Sequence, residues 1–347
     1  MKIAVVGTGM IAREALNALR MVRGVEIPVL CARAHSREKA ERMAQEFDIP
    51  HVVTDYAELL TSHAADFVYL GIVNSAHFDY ARQAISAGWN VIVEKPFAST
   101  LAETEELIAR ARAAQSYVFE AMTPLYMPNF RGIVERLPRL GLVRLVQANF
   151  SQYSSRYDRY LARDVAPAFD PVCSGGALYD LNVYNLALII ALFGRPLSAS
   201  YLANIGFNGI DTSGVMTLRY DGFCASSAAA KDSSSPSFLM IQGENGWIRT
   251  DGTPNELRSF TIGLRGAEPE TFALNRHEHR MVHEFEEMQP AAGLHRRGGR
   301  LCRDARGDGG HGKSTPDGGH PVSGGLMHGY NLDDRDGTSR QKISAYQ

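Results

Sequence analysis

The first twelve residues place a glycine-rich turn between an apolar run and a segment with helical periodicity. Residues 2–6 read KIAVV, and the turn that follows opens a helix-like stretch, REALNALRMV. In this position one glycine permits a tight turn and the next lets the backbone approach a pyrophosphate, while a third small residue allows close packing of helix on strand. Gly-rich turns are common, so an ordinary strand–helix turn is the alternative. The sequence predicts a dinucleotide site formed by Gly7, Thr8, Gly9, Met10 and Ile11, with Ala12 as the third small residue.

The same strand–helix pattern repeats through the first third of the chain. Apolar runs bounded by turn residues alternate with amphipathic segments such as SREKAERMAQEF and LAETEELIARARAA. Such alternation is typical of a doubly wound parallel sheet of the Rossmann type, in the α/β class, whose ligands bind at the carboxyl ends of the strands. We therefore predict a Rossmann domain over residues 1–121, with strands at residues 2–6, 26–32, 67–72, 90–93 and 117–119.

The end of the second predicted strand bears on the choice of cofactor. NAD sites usually place Asp or Glu there to bind the ribose hydroxyls. This chain reads LCARAHSRE, with no carboxylate before Glu38. Arg33 and His35, with Arg37, suit a 2′-phosphate instead, because the planar guanidinium matches phosphate oxygens. The prediction is therefore NADP in preference to NAD, the alternative being that some of these charges are simply solvated.

Several classes of protein are disfavoured by charge and composition. The chain has 36 Lys and Arg against 38 Asp and Glu, so it lacks the basic excess of nucleic-acid binders. The chain has no run of 18 apolar residues, so we predict no membrane span. Its N-terminal residues show no signal-peptide pattern. The four cysteines are too scattered for a disulfide framework or a metal site. We expect a soluble, cytoplasmic protein without metal.

From about residue 142 the pattern changes to short strands in succession. LVRLVQANFSQY, SASYLANIGF, GVMTLRY, GFCASSAA, SFLMIQG and GWIRT all resemble strands, and the pairs Asp221-Gly222 and Asn245-Gly246 predict tight turns. One helix, DLNVYNLALIIALFG, interrupts them. This predicts a second, α+β domain over residues 122–288, with an open, mostly antiparallel sheet.

Three motifs in order give the chain a family resemblance. GIVNSAH at residues 71–77, EKP at 94–96 and GGALYDLNVY at 175–184 follow the N-terminal glycine motif. Together they resemble the Gfo/Idh/MocA oxidoreductases, in the branch of glucose–fructose oxidoreductase and dimeric dihydrodiol dehydrogenase, from Met1 to about Met288. The chain departs from that family at Val73, near which a proline is usual, and at Asn182, where glycine is usual.

The resemblance implies an enzyme that moves a hydride between a nicotinamide and a sugar, polyol or related secondary alcohol. It makes Lys95 the catalytic lysine, which hydrogen-bonds the substrate hydroxyl, and Asp180 a group that orients the substrate or Lys95. Tyr184 would donate and accept the proton, with Lys95 lowering its pKa.

The resemblance also suggests further contacts and partners. It places Asn74, His77 and Glu94 around the nicotinamide and its ribose, although His77 is equally suited to cap a helix. Glu120 resembles the glutamate that this family has after the next strand, and its alternative role is to tie the domain junction. A homo-oligomer, dimer or tetramer, through the second sheet is expected. Four residues are suited either to a polyol pocket or to a solvated loop: Tyr153, Arg156, Tyr157 and Arg163. The alternative function is a non-catalytic, NAD(P)-binding regulator on the same scaffold.

The last 59 residues differ from the rest of the chain. They contain 13 of its 32 glycines, are rich in both Gly and Arg, and show no periodicity of apolar residues. We predict that the helix EHRMVHEFEEM stops without a cap and that residues 289–347 are an aberrant tail, expected to be disordered. Shifting the codons of residues 307–313 by one base permits VMAVMEK, an amphipathic helical string. The tail is therefore interpreted as a frameshift product, and gene sequencing around codon 289 tests that interpretation.

Overall fold

The structure, a computed structural model, describes residues 1–296, with side chains described as far as Gln289. Its first part alternates strands and helices: β1 (Ile3–Val6), α1 (Met10–Met21), β2 (Val29–Cys31), α2 (Arg37–Glu46), β3 (His51–Val53), α3 (Tyr56–Ser62), β4 (Phe67–Leu70), α4 (His77–Ser86), β5 (Asn90–Glu94), α5 (Leu101–Ala114) and β6 (Val118–Ala121).

These six strands form one parallel sheet in the order β3-β2-β1-β4-β5-β6. This is the doubly wound order of the Rossmann fold, and the strand order reverses between β1 and β4. Strands β1, β4 and β5 are buried along their whole length because helices cover both faces of the sheet. The predicted Rossmann sheet is confirmed. Strand β3 escaped prediction, since its three residues are half-exposed and carry no apolar run.

The second part contains an eight-stranded sheet. Its elements are α6 (Pro128–Arg136), β7 (Val143–Ser151), α7 (Tyr157–Leu161), α8 (Val183–Phe193), β8 (Ser198–Ile205), β9 (Asp211–Arg219), β10 (Cys224–Ala230), β11 (Phe238–Gly243), β12 (Gly246–Asp251), β13 (Ser259–Leu264), β14 (Glu270–Phe272) and α9 (Met281–Arg296).

The strand order in this sheet is β14-β13-β12-β11-β7-β10-β9-β8, and every pairing except β7 with β10 is antiparallel. The α+β prediction of a mostly antiparallel sheet is confirmed, as are both tight turns, which join β9 to β10 and β11 to β12. Helix α8 packs on one face, where Leu188 and Ile189 share a core with Met216 and Leu218 of β9. The alternate residues of β9 face the other side and stay exposed.

Helix α9 departs from the sequence prediction in two ways. It does not stop at Met288, since the backbone stays helical to Arg296. Its buried residues Met281, Val282, Phe285 and Met288 also belong to the core of the Rossmann sheet and α1, not to that of the second sheet. The division of the chain at residue 121 stays a prediction, and the predicted tail beyond Arg296 lies outside the described residues.

One described segment meets the length and composition test for a membrane span, namely Pro171–Phe193, with a mean hydropathy of 1.5 over its best window. The sequence analysis missed it because short polar interruptions break its apolar runs. In the structure its second half is α8, whose apolar side chains pack on the second sheet, which is also the behaviour of a core helix.

Candidate active site

Two glycines pack closely together where β1 and β4 end, beside the crevice at which the strand order reverses. Gly7 follows β1 with φ of +121°, and a Cβ built on it would lie 2.2 Å from the carbonyl oxygen of Gly71, which follows β4. A Cβ on Gly71 would in turn meet the Tyr69 ring at 2.9 Å and Ala12 at 3.3 Å. Any larger residue at these points would push strand and helix apart, so the third small residue of the motif does pack where the sequence predicted.

Gly9 behaves differently, and it supplies the test of whether the turn fits a dinucleotide. A Cβ on Gly9 would have no heavy atom within 4 Å, so packing of the protein does not require glycine there. Gly9 lies at the N-cap of α1, has no side-chain cap, and the first turn of α1 contains no acidic residue. Free N–H groups and the helix dipole at such an end favour an anion. The site therefore fits a pyrophosphate beside Thr8, Gly9, Met10 and Ile11.

Arg33 and His35 lie just beyond the carboxyl end of β2, next to β1 in the sheet. Both are exposed, and neither side chain forms a hydrogen bond or ion pair with any other described residue. Arg37, by contrast, binds the Glu41 carboxylate and the Thr54 hydroxyl. Arg33 and His35 are thus the two basic groups left free at the position where a cofactor ribose is expected.

Lys95 follows β5 and reaches across to the second domain. Its Nζ donates to the backbone carbonyl of Asp180 at 2.9 Å and to Oδ1 of the same residue at 3.1 Å. Burial lowers the pKa of Lys95, but the charges of Tyr184, Asp180 and Glu94 outweigh it and the pKa is raised. The ammonium is therefore protonated at neutral pH, and the predicted pairing of Lys95 with Asp180 is present.

Tyr184 lies beside this pair, one helical turn after Asp180. The Lys95 ammonium sits 4.8 Å from the centre of its ring, over the face of the ring. None of the described residues hydrogen-bonds the Tyr184 hydroxyl, which leaves it for a ligand. Lys95 lowers the pKa of Tyr184, as expected, and Arg280 does the same, but burial has the larger effect and the net pKa is raised.

Asn74 and His77 have protein partners in the structure. The Asn74 amide donates to the carbonyl of Ser174 at 2.9 Å, which ties the loop after β4 to the second domain. His77 is fully buried, with Nδ1 2.8 Å from the carbonyl oxygen of Pro96 and Nε2 3.3 Å from that of Ile72. It therefore bridges two loops at the crevice and does not cap α4. Burial lowers the pKa of His77, and the two carbonyl contacts oppose this in part.

Glu94, which is buried, and Glu120, which is half-buried, lie below the loop that carries Lys95. Tyr69 donates to Glu94 at 2.6 Å, and Glu120 accepts from the backbone N–H of Phe97 at 3.0 Å. Burial raises the pKa of both carboxyls, that of Glu120 to about 7. Glu94 thus supports the Lys95 loop from within the first domain, and Glu120 anchors the same loop. A role of Glu120 in tying the domain junction stays a prediction.

Two basic residues at the site were not predicted. Lys231, at the end of β10, lies 2.9 Å from Oδ2 of Asp180, the oxygen that Lys95 does not bind. Arg280, just before α9, binds Glu14 of α1 at 2.8 Å and the Thr123 hydroxyl at 3.3 Å. The only signal in the sequence for Lys231 is an isolated charge that ends an Ala- and Ser-rich strand. The sequence contains no signal for Arg280, because its contacts with the first domain form only when α9 packs against that domain in the tertiary structure.

The residues suggested for a polyol pocket, which precede the GGALYDLNVY motif, divide between packing and exposure. Tyr157 stacks among Tyr160 and Phe169, and the Arg163 guanidinium lies 3.8 Å from the centre of the Phe207 ring. Tyr153 is 42% exposed and donates to Asp158. A pocket role for these residues stays a prediction. Among the described residues no group of three or more His, Cys, Asp or Glu is arranged to hold a metal ion.

Comparison with known proteins settles the family. The oxidoreductase family model with an NAD-binding Rossmann fold matches residues 1–122, and the GFO/IDH/MocA C-terminal domain matches residues 138–249. The chain belongs to the Gfo/Idh/MocA family. It is an NAD(P)-dependent oxidoreductase of the dehydrogenase and reductase type.

Two curated relatives align along most of the chain. An uncharacterised oxidoreductase, YgjR of Escherichia coli, is 34% identical over 285 residues, which is 82% of this chain and 86% of that protein. The scyllo-inositol 2-dehydrogenase (NADP⁺) IolU of Bacillus subtilis is 33% identical over 287 residues, 83% of this chain and 87% of that protein.

Solved structures share the fold at lower identity. KijD10, a 3-ketoreductase from Actinomadura kijaniata in complex with NADP and TDP-benzene, superposes with a TM-score of 0.73 and 22% identity, covering 84% of this chain and 90% of that one. A levoglucosan dehydrogenase in complex with NADH and levoglucosan gives a TM-score of 0.73 and 15% identity over the same shares. At these identities the likeness concerns the fold.

Proposed function

We propose that this Gfo/Idh/MocA oxidoreductase acts on a secondary hydroxyl of a sugar or polyol, or on the corresponding ketone, and prefers NADP. The observation that carries the proposal is the contact of Lys95, from the Rossmann sheet, with Asp180, from the second domain, beside the free hydroxyl of Tyr184. The names of IolU, an inositol dehydrogenase, and of KijD10, a ketoreductase, agree in substrate class.

The chain's own residues would hold the cofactor along the edge of the first sheet. Thr8, Gly9, Met10 and Ile11 take the pyrophosphate at the N-terminus of α1, and Arg33 with His35 takes a 2′-phosphate. Asn74, His77 and Glu94 shape the loops where the nicotinamide ribose is expected. When bound, the nicotinamide supplies the hydride acceptor or donor.

The proton is handled by groups from both domains. Lys95 is held protonated and donates to the substrate oxygen, which stabilises the negative charge that develops as hydride leaves the carbon. In oxidation the deprotonated phenolate of Tyr184 takes the proton of the substrate hydroxyl and becomes the neutral hydroxyl, and in reduction that hydroxyl returns the proton to the substrate oxygen. Because burial raises the pKa of Tyr184, oxidation is expected to be favoured at high pH. Asp180 fixes the direction in which Lys95 points.

We also propose that the open face of the second sheet pairs two copies of the chain. Leu202 of β8 and Val215 of β9 are paired neighbours on that face, and they are 81% and 44% exposed. Exposed apolar neighbours in a sheet commonly mark an interface. Sedimentation of the Leu202→Lys variant tests this pairing: a dimer or tetramer is expected to fall apart, and an unchanged mass would contradict the proposal.

A panel of sugars and polyols that includes scyllo-inositol, assayed at 340 nm with NADP⁺ and with NAD⁺, tests the function. Turnover is expected with at least one polyol, faster with NADP⁺, and reduced at least 100-fold in Lys95→Met and in Tyr184→Phe. Lys2→Met is the control, since the Lys2 ammonium pairs with Glu26 at the surface, away from the site. Cofactor binding without turnover of any panel member would favour the regulator. Undiminished turnover in Lys95→Met would overturn the proposed roles.

A further inference from the structure

Lys231 is one of only six lysines in the chain, and it is buried against the site. Its side chain is 2% exposed, and its Nζ donates to Oδ2 of Asp180 and to the carbonyl of Ala168. The ammonium also lies 4.4 Å from the centre of the Phe169 ring, a favourable cation–π position. A buried lysine is expensive unless it is paired. Here it is paired with a residue of the proposed catalytic group.

The pairing changes the charge that faces the substrate. Asp180 is one carboxylate held between two ammonium groups, with Lys95 on Oδ1 and Lys231 on Oδ2. If Lys95 alone were paired with Asp180, the two charges would cancel and little positive potential would reach a developing alkoxide. With Lys231 present, the three groups together carry one net positive charge. Lys95 is the more open of the two lysines, at 13% exposed, so that charge is presented through Lys95.

We propose that Lys231 is a positioning residue that occupies the second oxygen of Asp180, so that Lys95 keeps an uncompensated positive charge for the substrate oxygen. The inference rests on the proposed roles of Lys95 and Tyr184. Lys231 does not itself touch the substrate, because it is enclosed by Asp180, Ala168 and Phe169.

The surroundings of Lys231 are consistent with a charged side chain. The ionisable groups that face it are Asp180, Lys95 and Asp211, which lie on the turn before α8, after β5 and at the start of β9. Burial and Lys95 lower the pKa of Lys231, and the two carboxylates oppose this. Lys95 and Lys231 together hold the pKa of Asp180 below its usual range, although burial acts to raise it.

The pH dependence of kcat/KM separates this role from a merely structural one. Removal of one positive charge near the reacting oxygen should move the acidic limb of the oxidation profile to higher pH by about one unit and lower kcat/KM at neutral pH roughly tenfold. We expect this for Lys231→Met, with recovery at high pH, while Lys231→Arg restores the wild-type profile. A loss of equal size at every pH would overturn the proposal.

A second measurement needs neither a substrate nor a stable Lys231 variant. With six lysines, a carbon-13 spectrum of the chain labelled at lysine Cε gives six signals, and their shifts report protonation. We expect the signals of the two buried lysines, Lys95 and Lys231, to show protonated side chains at pH 7. In Asp180→Asn, one of these two lysines is expected to titrate at lower pH than in the wild type. A neutral Lys231 at pH 7, or a titration that Asp180→Asn leaves in place, would overturn the proposal.

The outcomes also separate this inference from the proposed function. Full turnover in Lys95→Met would refute the catalytic assignment itself. An inactive Lys95→Met together with an unshifted profile in Lys231→Met would refute the role of Lys231 alone. Lys2→Met is the matched control for loss of a lysine charge, and its profile should superpose on that of the wild type.

Discussion

The two glycines of the N-terminal turn should respond in opposite ways to the same substitution. In Gly7→Ala the new methyl group would lie 2.2 Å from the Gly71 carbonyl oxygen, at a φ of +121° that L residues rarely adopt. In Gly9→Ala the methyl group meets nothing within 4 Å, and φ is −75°, which any residue adopts. The first change therefore damages the fold, while the second changes only the surface offered to a pyrophosphate.

The sizes of the two effects follow from these contacts. Strain and a backbone clash at Gly7 should cost about 3 kcal/mol or more of the free energy of unfolding. Gly9→Ala should change it by less than about 1 kcal/mol, in the stabilising direction, because alanine restricts the unfolded chain. If the methyl group weakens NADPH binding about 100-fold, then at 100 times the wild-type Kd the stabilisation by ligand falls from about 2.7 to about 0.4 kcal/mol.

Thermal unfolding of both variants with and without NADPH measures this directly. We expect Gly7→Ala to melt well below the wild type without ligand. Gly9→Ala should match the wild-type Tm without ligand and lose most of the upward shift with NADPH. A full NADPH shift in Gly9→Ala would refute the placement of the pyrophosphate at this turn. Equal destabilisation by the two substitutions would refute the packing argument.

Three other side chains give predictions. Burial raises the pKa of Glu284 to about 8, so the stability it contributes is present below the unfolded pKa and is lost as pH rises toward 8. Glu284→Gln should therefore gain on the wild type between pH 5 and pH 8.5, by up to about 4 kcal/mol in denaturant titrations, and an equal difference at both pH values would contradict this. Arg33→Ala should raise KM for NADPH at least tenfold and leave KM for NADH nearly unchanged, so that parallel changes would argue against a 2′-phosphate contact. Phe285 packs edge-on against Tyr69 at 5.8 Å and is fully buried, so Phe285→Ala should cost about 3–5 kcal/mol in chemical unfolding. The exposed control Leu142→Ala should cost little, and equal losses would show that α9 does not support the first core.

Much of the fold could be predicted because its signals are local. The apolar runs of β1, β4 and β5, the glycine turn after β1 and the Asp-Gly and Asn-Gly turns each occupy a few neighbouring residues, and each specifies its own element. The positions of Lys95, Asp180 and Tyr184 came from motifs that are also continuous in the chain. Strand β14 escaped prediction because it has three residues and one apolar side chain, whereas β13 carries the apolar–polar alternation of a half-buried strand, SFTIGL, which the sequence analysis overlooked.

The sequence by itself therefore predicted most of the strands, the position of the glycine turn and, through the family resemblance, three residues for the proposed reacting centre. Only the tertiary structure decided the electrostatics of that centre. Lys231 meets Asp180 across 51 residues of sequence, and α9 returns from the end of the second sheet to bring Arg280 and Glu284 against the first. No local pattern encodes such contacts, because they depend on how two separately specified sheets pack together, and burial there sets the pKa of Tyr184 and of Glu284.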